Sequence, residues 1–157
     1  MSGLIGKAGT KSGIVGYSQL SVEVGTWTPA VGGDSGCSAT VASSYGRYTR
    51  VGQMVLAEFD LTLSAFSCIG SATIAGLPFK ASVAVSSKWT SGGFCTYAGS
   101  LSGLPTYGAY ITMHIEPNTN FCYCRLWDTS AGTTNLIPSE LSADGTMAGT
   151  FIYQTQE

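Results

Sequence analysis

QMVLAEFDLTLS, residues Gln53–Ser64, is the stretch of sequence that decides the fold. Its apolar side chains recur at every second position, which is the period of a β-strand with one buried face. The predicted core face carries Val55, Ala57, Phe59, Leu61 and Leu63. Glu58, Asp60 and Thr62 fall on the opposite face. We therefore expect a long strand with one face in the core and the other in water or against a partner.

The rest of the chain from Gly25 onward predicts a β-sandwich. Short β-type runs are separated by Gly, Pro, Ser and Asn at intervals of roughly ten residues. Further strands are predicted at Ser71–Ile74, Ser82–Ser86, Phe94–Gly99, Ala109–Ile115, Asn120–Trp127 and Thr146–Gln154. No helical crossover is available, so the strands should pair antiparallel. The predicted fold class is an all-β, antiparallel β-sandwich of the jelly-roll type, with an extended N-terminal arm.

The domain division places an anchoring arm at residues 1–22 and the β-sandwich at residues 23–157. The first twenty residues contain five glycines and no apolar period long enough to specify an element. A Gly-rich terminus becomes ordered only when another surface holds it. The residues predicted to anchor this arm are its aliphatics and lysines: Leu4, Ile5, Lys7, Lys11, Ile14 and Val15.

Composition and charge exclude several classes of partner. The formal net charge is −2, and the seven Lys and Arg are scattered, so no basic patch for nucleic acid is predicted. No apolar run approaches the roughly 18 residues of a membrane span, so no membrane insertion is predicted. The five cysteines are an odd number, which argues against a disulfide framework and for folding in a reducing cytoplasm.

Residues that could support catalysis are few, and each has a structural interpretation. His114 is the single histidine and is interpreted as a wall residue of a strand. Glu58 and Asp60 share one strand face and do not flank a sugar as glycoside hydrolysis requires. Cys122 and Cys124 should both face the core rather than hold a metal. We predict no enzyme, no catalytic residue, no cofactor and no metal.

Aromatic residues interleaved with Ser, Gly and Thr gather between Trp89 and Tyr110. Rigid rings provide contact area at low entropic cost while hydroxyls adapt their hydrogen bonds, a mixture that suits saccharide or protein recognition. The alternative is that these tyrosines are ordinary wall residues of strands. The predicted recognition surface consists of Trp89, Tyr97, Tyr107 and Tyr110.

Three segments carry a family resemblance when taken in order. They are GTWTP at Gly25–Pro29, GRYTRVGQMV at Gly46–Val55 and GSATIAGLPF at Gly70–Phe79. In this order and spacing they resemble the C-terminal, jelly-roll-like domain of tailed-phage tail fibre and virion surface proteins. The arm SGLIGKAGTKSGIVG, Ser2–Gly16, is similar to the opening of short phage structural proteins that carry this domain without a shaft.

The resemblance implies a non-enzymatic structural protein, a homotrimer on the surface of a bacteriophage virion. It would fold in the host bacterial cytoplasm before assembly. One expectation is a capsid decoration, or cement, protein whose arm binds the major capsid protein. The alternative is the receptor-binding tip of a tail fibre, with the arm held by a tail adaptor protein and the domain recognising host surface glycan.

Overall fold

The computed structural model describes residues 21–83, 92–100, 110–128, 132–137, 140–142 and 144–156. These residues form eight β-strands and no α-helix: β1 (Val22–Trp27), β2 (Ala30–Val51), β3 (Met54–Ala75), β4 (Gly92–Gly99), β5 (Tyr110–Ile115), β6 (Phe121–Asp128), β7 (Gly132–Asn135) and β8 (Thr146–Gln154). All pairings between these strands are antiparallel. The predicted all-β, antiparallel fold is confirmed.

The eight strands make one curled sheet rather than two separate ones. Their order is β1-β2-β3-β8-β4-β5-β6-β7, with an additional pairing between β3 and β6. The first half of β3 pairs with β8, and its last three residues pair with β6. Strands β3, β8, β4, β5 and β6 therefore form a closed ring. Strands β1 and β2 extend it at β3, and β7 extends it at β6.

The core lies inside this ring, on the face of β3 that the alternation predicts. Its centre is aromatic: the ring centroids of Phe59 and Phe151 are 6.0 Å apart, and Trp27 meets Phe151 edge-on at 5.9 Å. Trp27 also donates a hydrogen bond from Nε1 to the Glu58 carbonyl at 3.2 Å. Other buried side chains include Val55, Ala57, Leu61, Leu63, Ile74, Ile115, Cys122, Cys124, Leu126, Leu136, Met147 and Tyr153.

Two predicted strand boundaries differ from the structure. Residues 54–64 of the first predicted strand and the whole segment Ser71–Ile74 belong to the single strand β3, because β2 pairs with β3 along nearly its whole length. In the segment predicted at Ser82–Ser86, Ser82 and Val83 are not in a strand. Residues 84–86 lie outside the described residues.

The turn between β2 and β3 also positions the residue that precedes β1. Gly52 has a φ of 59°, a left-handed conformation that glycine adopts without a steric penalty. Its amide donates to the carbonyl of Ser21 at 3.0 Å, which holds the residue before β1 beside this turn. The six predicted anchor residues and nearly all of the predicted arm lie outside the described residues, so the arm remains a prediction.

In the part of the chain described, no helix is long and apolar enough to cross a membrane.

Candidate functional site

The outer face of the sheet is built from side chains that point away from the core. Residues directly opposite each other on antiparallel strands share a face, so the strand register defines rows across it. Three neighbouring rows run across β2, β3, β8 and β4: Tyr45, Asp60, Ala148 and Tyr97; Arg47, Glu58, Thr150 and Phe94; Thr49, Leu56, Ile152 and Gly92. The face therefore changes from aromatic and charged to apolar along the strands.

A shallow depression lies at the polar end of this face. We call it the outer-face groove and define it by Tyr45, Arg47, Glu58, Asp60, Thr96, Tyr97 and Thr150. All of these except Tyr97 line one concavity in the surface. We include Tyr97 for two reasons. It pairs with Ala148, which also lines the concavity, and it lies at the opposite end of the row that starts at Tyr45.

Two tyrosines mark the sides of the groove. Tyr45 is 58% exposed and Tyr97 is 60% exposed, values that leave most of each ring open to a ligand. Three inter-strand steps separate them, which corresponds to about 14 Å at the usual spacing of about 4.8 Å. Between them lie Asp60 and the small side chain of Ala148. The span fits a short oligosaccharide or a peptide better than a single small molecule.

A β-bulge places the second tyrosine. The register of β4 against β8 shifts between Cys95 and Tyr97, so the intervening Thr96 is the extra residue. Bulges bend a strand and change the direction of its side chains, and they occur often beside functional sites. Both Thr96 and Tyr97 are exposed as a result, and the Thr96 hydroxyl donates to the Ala148 carbonyl at 3.1 Å.

Charged groups lie on the floor of the groove. Arg47 donates from Nε to the Glu58 carboxylate, and this hydrogen bond raises the pKa of Arg47 above its usual range. On the opposite face of β2, the Arg50 Nη1 atom lies 3.6 Å from the Glu23 Oε2 atom. Asp60 has no hydrogen-bond or ion-pair partner among the described residues, so its carboxylate is available to a ligand.

Hydroxyl groups continue the polar surface beyond the tyrosines. The next row contains Ser43, Thr62 and Thr146, and the Thr62 and Thr146 hydroxyl oxygens are 3.5 Å apart. Rings, carboxylates, a guanidinium and hydroxyls are the groups that bind polyhydroxylated ligands, because each sugar has apolar C–H faces and a rim of hydroxyls. The groove therefore has the chemistry of a saccharide-binding surface.

The predicted recognition residues are only partly brought together. Tyr97 lies in the groove. Tyr110 begins β5, is 72% exposed and pairs with Trp127, so it lies on the same outer face but beyond the described groove. Trp89 and Tyr107 lie outside the described residues. Whether these four act together remains a prediction.

Of the seven groove residues, only Tyr97 was a predicted recognition residue, and the aromatic residue that the sequence reasoning missed is Tyr45. No strand was predicted over β2, so nothing assigned a face to its side chain. The signal was present in the alternation of Ser43, Tyr45, Arg47 and Thr49, which all reach the outer face.

The other candidate residues have structural positions. His114 lies on β5 and stacks on Tyr123, with ring centroids 6.4 Å apart, as expected of a wall residue. Cys122 and Cys124 are fully buried on one face of β6, which confirms their predicted orientation. Among the residues that the structure describes, no group of three or more His, Cys, Asp or Glu side chains is arranged to hold a metal ion.

A solved structure with a similar fold is the crystal structure of the Dettilon tailspike protein. The superposition has a TM-score of 0.71 at 19% sequence identity and covers 85% of this chain. The fold is shared. This chain corresponds to 24% of the tailspike chain, about a quarter of its length. At this identity the likeness concerns the fold alone. No protein-family model matches the chain, and no curated protein matches it.

Proposed function

We propose that this protein is a surface protein of a tailed-bacteriophage virion, that it assembles as a homotrimer, and that its outer-face groove binds host surface glycan. The observation that carries the proposal is the row in which exposed Tyr45 and Tyr97 stand on either side of Asp60. The fold shared with the Dettilon tailspike protein supports a phage origin. The ordered motifs of the sequence support it independently.

The groove recognises glycan by stacking and hydrogen bonding. The tyrosine rings bind the C–H faces of sugar residues, and Asp60 accepts hydrogen bonds from their hydroxyls. Arg47 and Glu58 hold each other in place, so their remaining polar atoms are presented at little entropic cost. Specificity then depends on which sugar hydroxyls reach these fixed groups.

Binding without cleavage is part of the proposal. A glycoside hydrolase needs two carboxyl groups on either side of the scissile bond, one of them protonated by its surroundings. Glu58 and Asp60 stand two residues apart on one strand, point to one face and are open to solvent, and Glu58 is paired with Arg47. Release of reducing ends from a bound polysaccharide would contradict this part of the proposal.

The test is binding of the purified full chain to a panel of bacterial lipopolysaccharides and capsular polysaccharides. Tyr45→Ala and Tyr97→Ala should each weaken binding to a positive polysaccharide by roughly 5–30-fold, equivalent to about 1–2 kcal/mol of lost ring contact. Ile69→Ala is the control, because Ile69 is 71% exposed on β3 outside the groove. Unchanged binding by both tyrosine variants would refute the groove as the glycan site.

A second candidate function is capsid decoration, in which the arm binds the major capsid protein. The observation that favours it is the arm sequence, where the aliphatic pairs Leu4–Ile5 and Ile14–Val15 enclose Lys7 and Lys11. The copy number per virion separates the two functions. Hundreds of copies would indicate a decoration protein on the head, and a few tens or fewer would indicate a tail protein held by an adaptor.

A further inference from the structure

The charges of the outer-face groove do not balance. Four rows of outward residues cross β2, β3, β8 and β4, from the row of Ser43 to the row of Thr49, and their charged members are Arg47, Glu58 and Asp60. One guanidinium and two carboxylates give these rows a net charge of −1. Because Arg47 and Glu58 neutralise each other in an ion pair, the excess charge belongs to Asp60.

In the part of the chain that the structure describes, no cation offsets the charge of Asp60. Its direct neighbours in the row, Tyr45 and Ala148, are uncharged, and neither salt bridge of the described residues includes it. Arg50 points to the opposite face of β2, where it contacts Glu23 and lies over the Phe79 ring. An acid group of a ligand placed beside Asp60 would therefore meet a like charge, which disfavours binding.

The hydrogen-bonding groups beside Asp60 are mainly acceptors. A carboxylate only accepts, so Asp60 offers both oxygens, and Glu58 offers the oxygen that Arg47 does not contact. The Thr96 hydroxyl gives its proton to the Ala148 carbonyl, so it can only accept from a ligand. Sugar hydroxyls and amines donate hydrogen bonds, whereas ionised carboxylates and phosphates provide acceptor oxygens. The acceptors of the groove therefore match a glycan rich in hydroxyls or amines.

We infer that the groove binds glycan without acid groups, either uncharged or amine-bearing, and that Asp60 is the residue that excludes acidic glycan; this rests on the glycan binding of the proposed function. The rings of Tyr45 and Tyr97 contact the C–H faces of sugars, which are alike in acidic and neutral glycans. Asp60 lies between the two rings in one row, so a glycan that spans both passes over its carboxylate. The rings provide affinity, and Asp60 discriminates between glycans of different charge.

The experiment compares two charge forms of one polysaccharide, so that the backbone of the ligand stays constant. Each bacterial polysaccharide that binds the purified full chain is measured with its carboxylates intact and after their reduction to primary alcohols. A neutral polysaccharide is measured before and after oxidation of its primary alcohols to carboxylates. Asp60→Asn removes the charge and keeps the shape of the side chain. Glu116→Gln is the control, because it removes one negative charge from an exposed residue between β5 and β6, outside the groove.

We expect the wild type and Glu116→Gln to bind the uncharged form at least about 5-fold more tightly, since a like charge about 4 Å away in water lowers affinity by roughly that factor. Asp60→Asn should reduce this preference to below about 2-fold, and the preference of the wild type should shrink between about 0.1 M and about 1 M salt. A wild type that prefers the carboxylated form, or a preference that Asp60→Asn leaves unchanged, would overturn the inference and leave the groove to the tyrosine variants. Absence of binding to every polysaccharide would overturn the inference and the proposed function together.

Discussion

Gly92 and Gly93 are neighbours on β4, and the structure predicts opposite responses to alanine. A Cβ at Gly93 would lie 2.4 Å from the Phe151 Cβ and 2.5 Å from the Thr150 carbonyl oxygen. Neither atom can move by changing a rotamer, because both are fixed by the pairing of β4 with β8. A Cβ at Gly92 would point to the outer face, where the nearest described atom, the Met113 carbonyl oxygen, is 4.0 Å away.

The magnitudes follow from these distances. Overpacking costs about 1–3 kcal/mol, and a clash with backbone belongs at the upper end, so Gly93→Ala should lower the free energy of unfolding by about 3 kcal/mol. Gly92→Ala fits without strain and should raise it by about 0.4–1 kcal/mol through the entropy of the unfolded chain. Urea unfolding at one fixed protein concentration measures both. If the two substitutions changed the free energy of unfolding equally, within about 0.5 kcal/mol, the result would refute the prediction that a Cβ at Gly93 points into the core and a Cβ at Gly92 points to the outer face.

Two further predictions concern the core. The Tyr153 hydroxyl donates to the Phe79 carbonyl at 3.1 Å and accepts from the Phe79 amide at 3.2 Å, so Tyr153→Phe should cost about 1–3 kcal/mol in urea unfolding; a loss below about 0.5 kcal/mol would contradict it. Burial raises the pKa of Cys122 from 9.0 to about 12, so the folded state holds its proton more tightly than the unfolded state. The associated stability is present below about pH 9 and is lost as the pH rises towards 12, and Cys122→Ala should flatten this fall in the unfolding free energy.

Strand β3 could be predicted because its sequence alone encodes its two faces. Alternation assigned Val55, Phe59 and Leu61 to the core, and each is buried. The same reasoning placed Cys122 and Cys124 together on β6.

Strand β2 could not be predicted, and the reason is physical. Its first two thirds, Ala30–Ser44, consist largely of Gly, Ser and Ala, which have weak β propensity. It becomes a strand because β3 offers it a continuous partner, with register shifts such as the one between Thr40 and Val41 absorbing the poor fit. Tertiary pairing here overrides local preference. The groove could therefore be predicted only in part from the sequence, because Tyr45 and Arg47 lie on this strand.

The change in polarity along the outer face arises within single strands. On β3 the outward residues run Met54, Leu56, Glu58, Asp60 and Thr62, while the inward residues stay apolar throughout. Because only the inward residues of β3 pack in the core, its outward residues are free to make other contacts at both ends of the strand. In the proposed homotrimer, three such grooves would stand on one assembly. Three weak glycan contacts would then act together, since each bound groove raises the effective concentration of the next. The proposed homotrimer would in this way strengthen the proposed recognition without any new contact to the glycan.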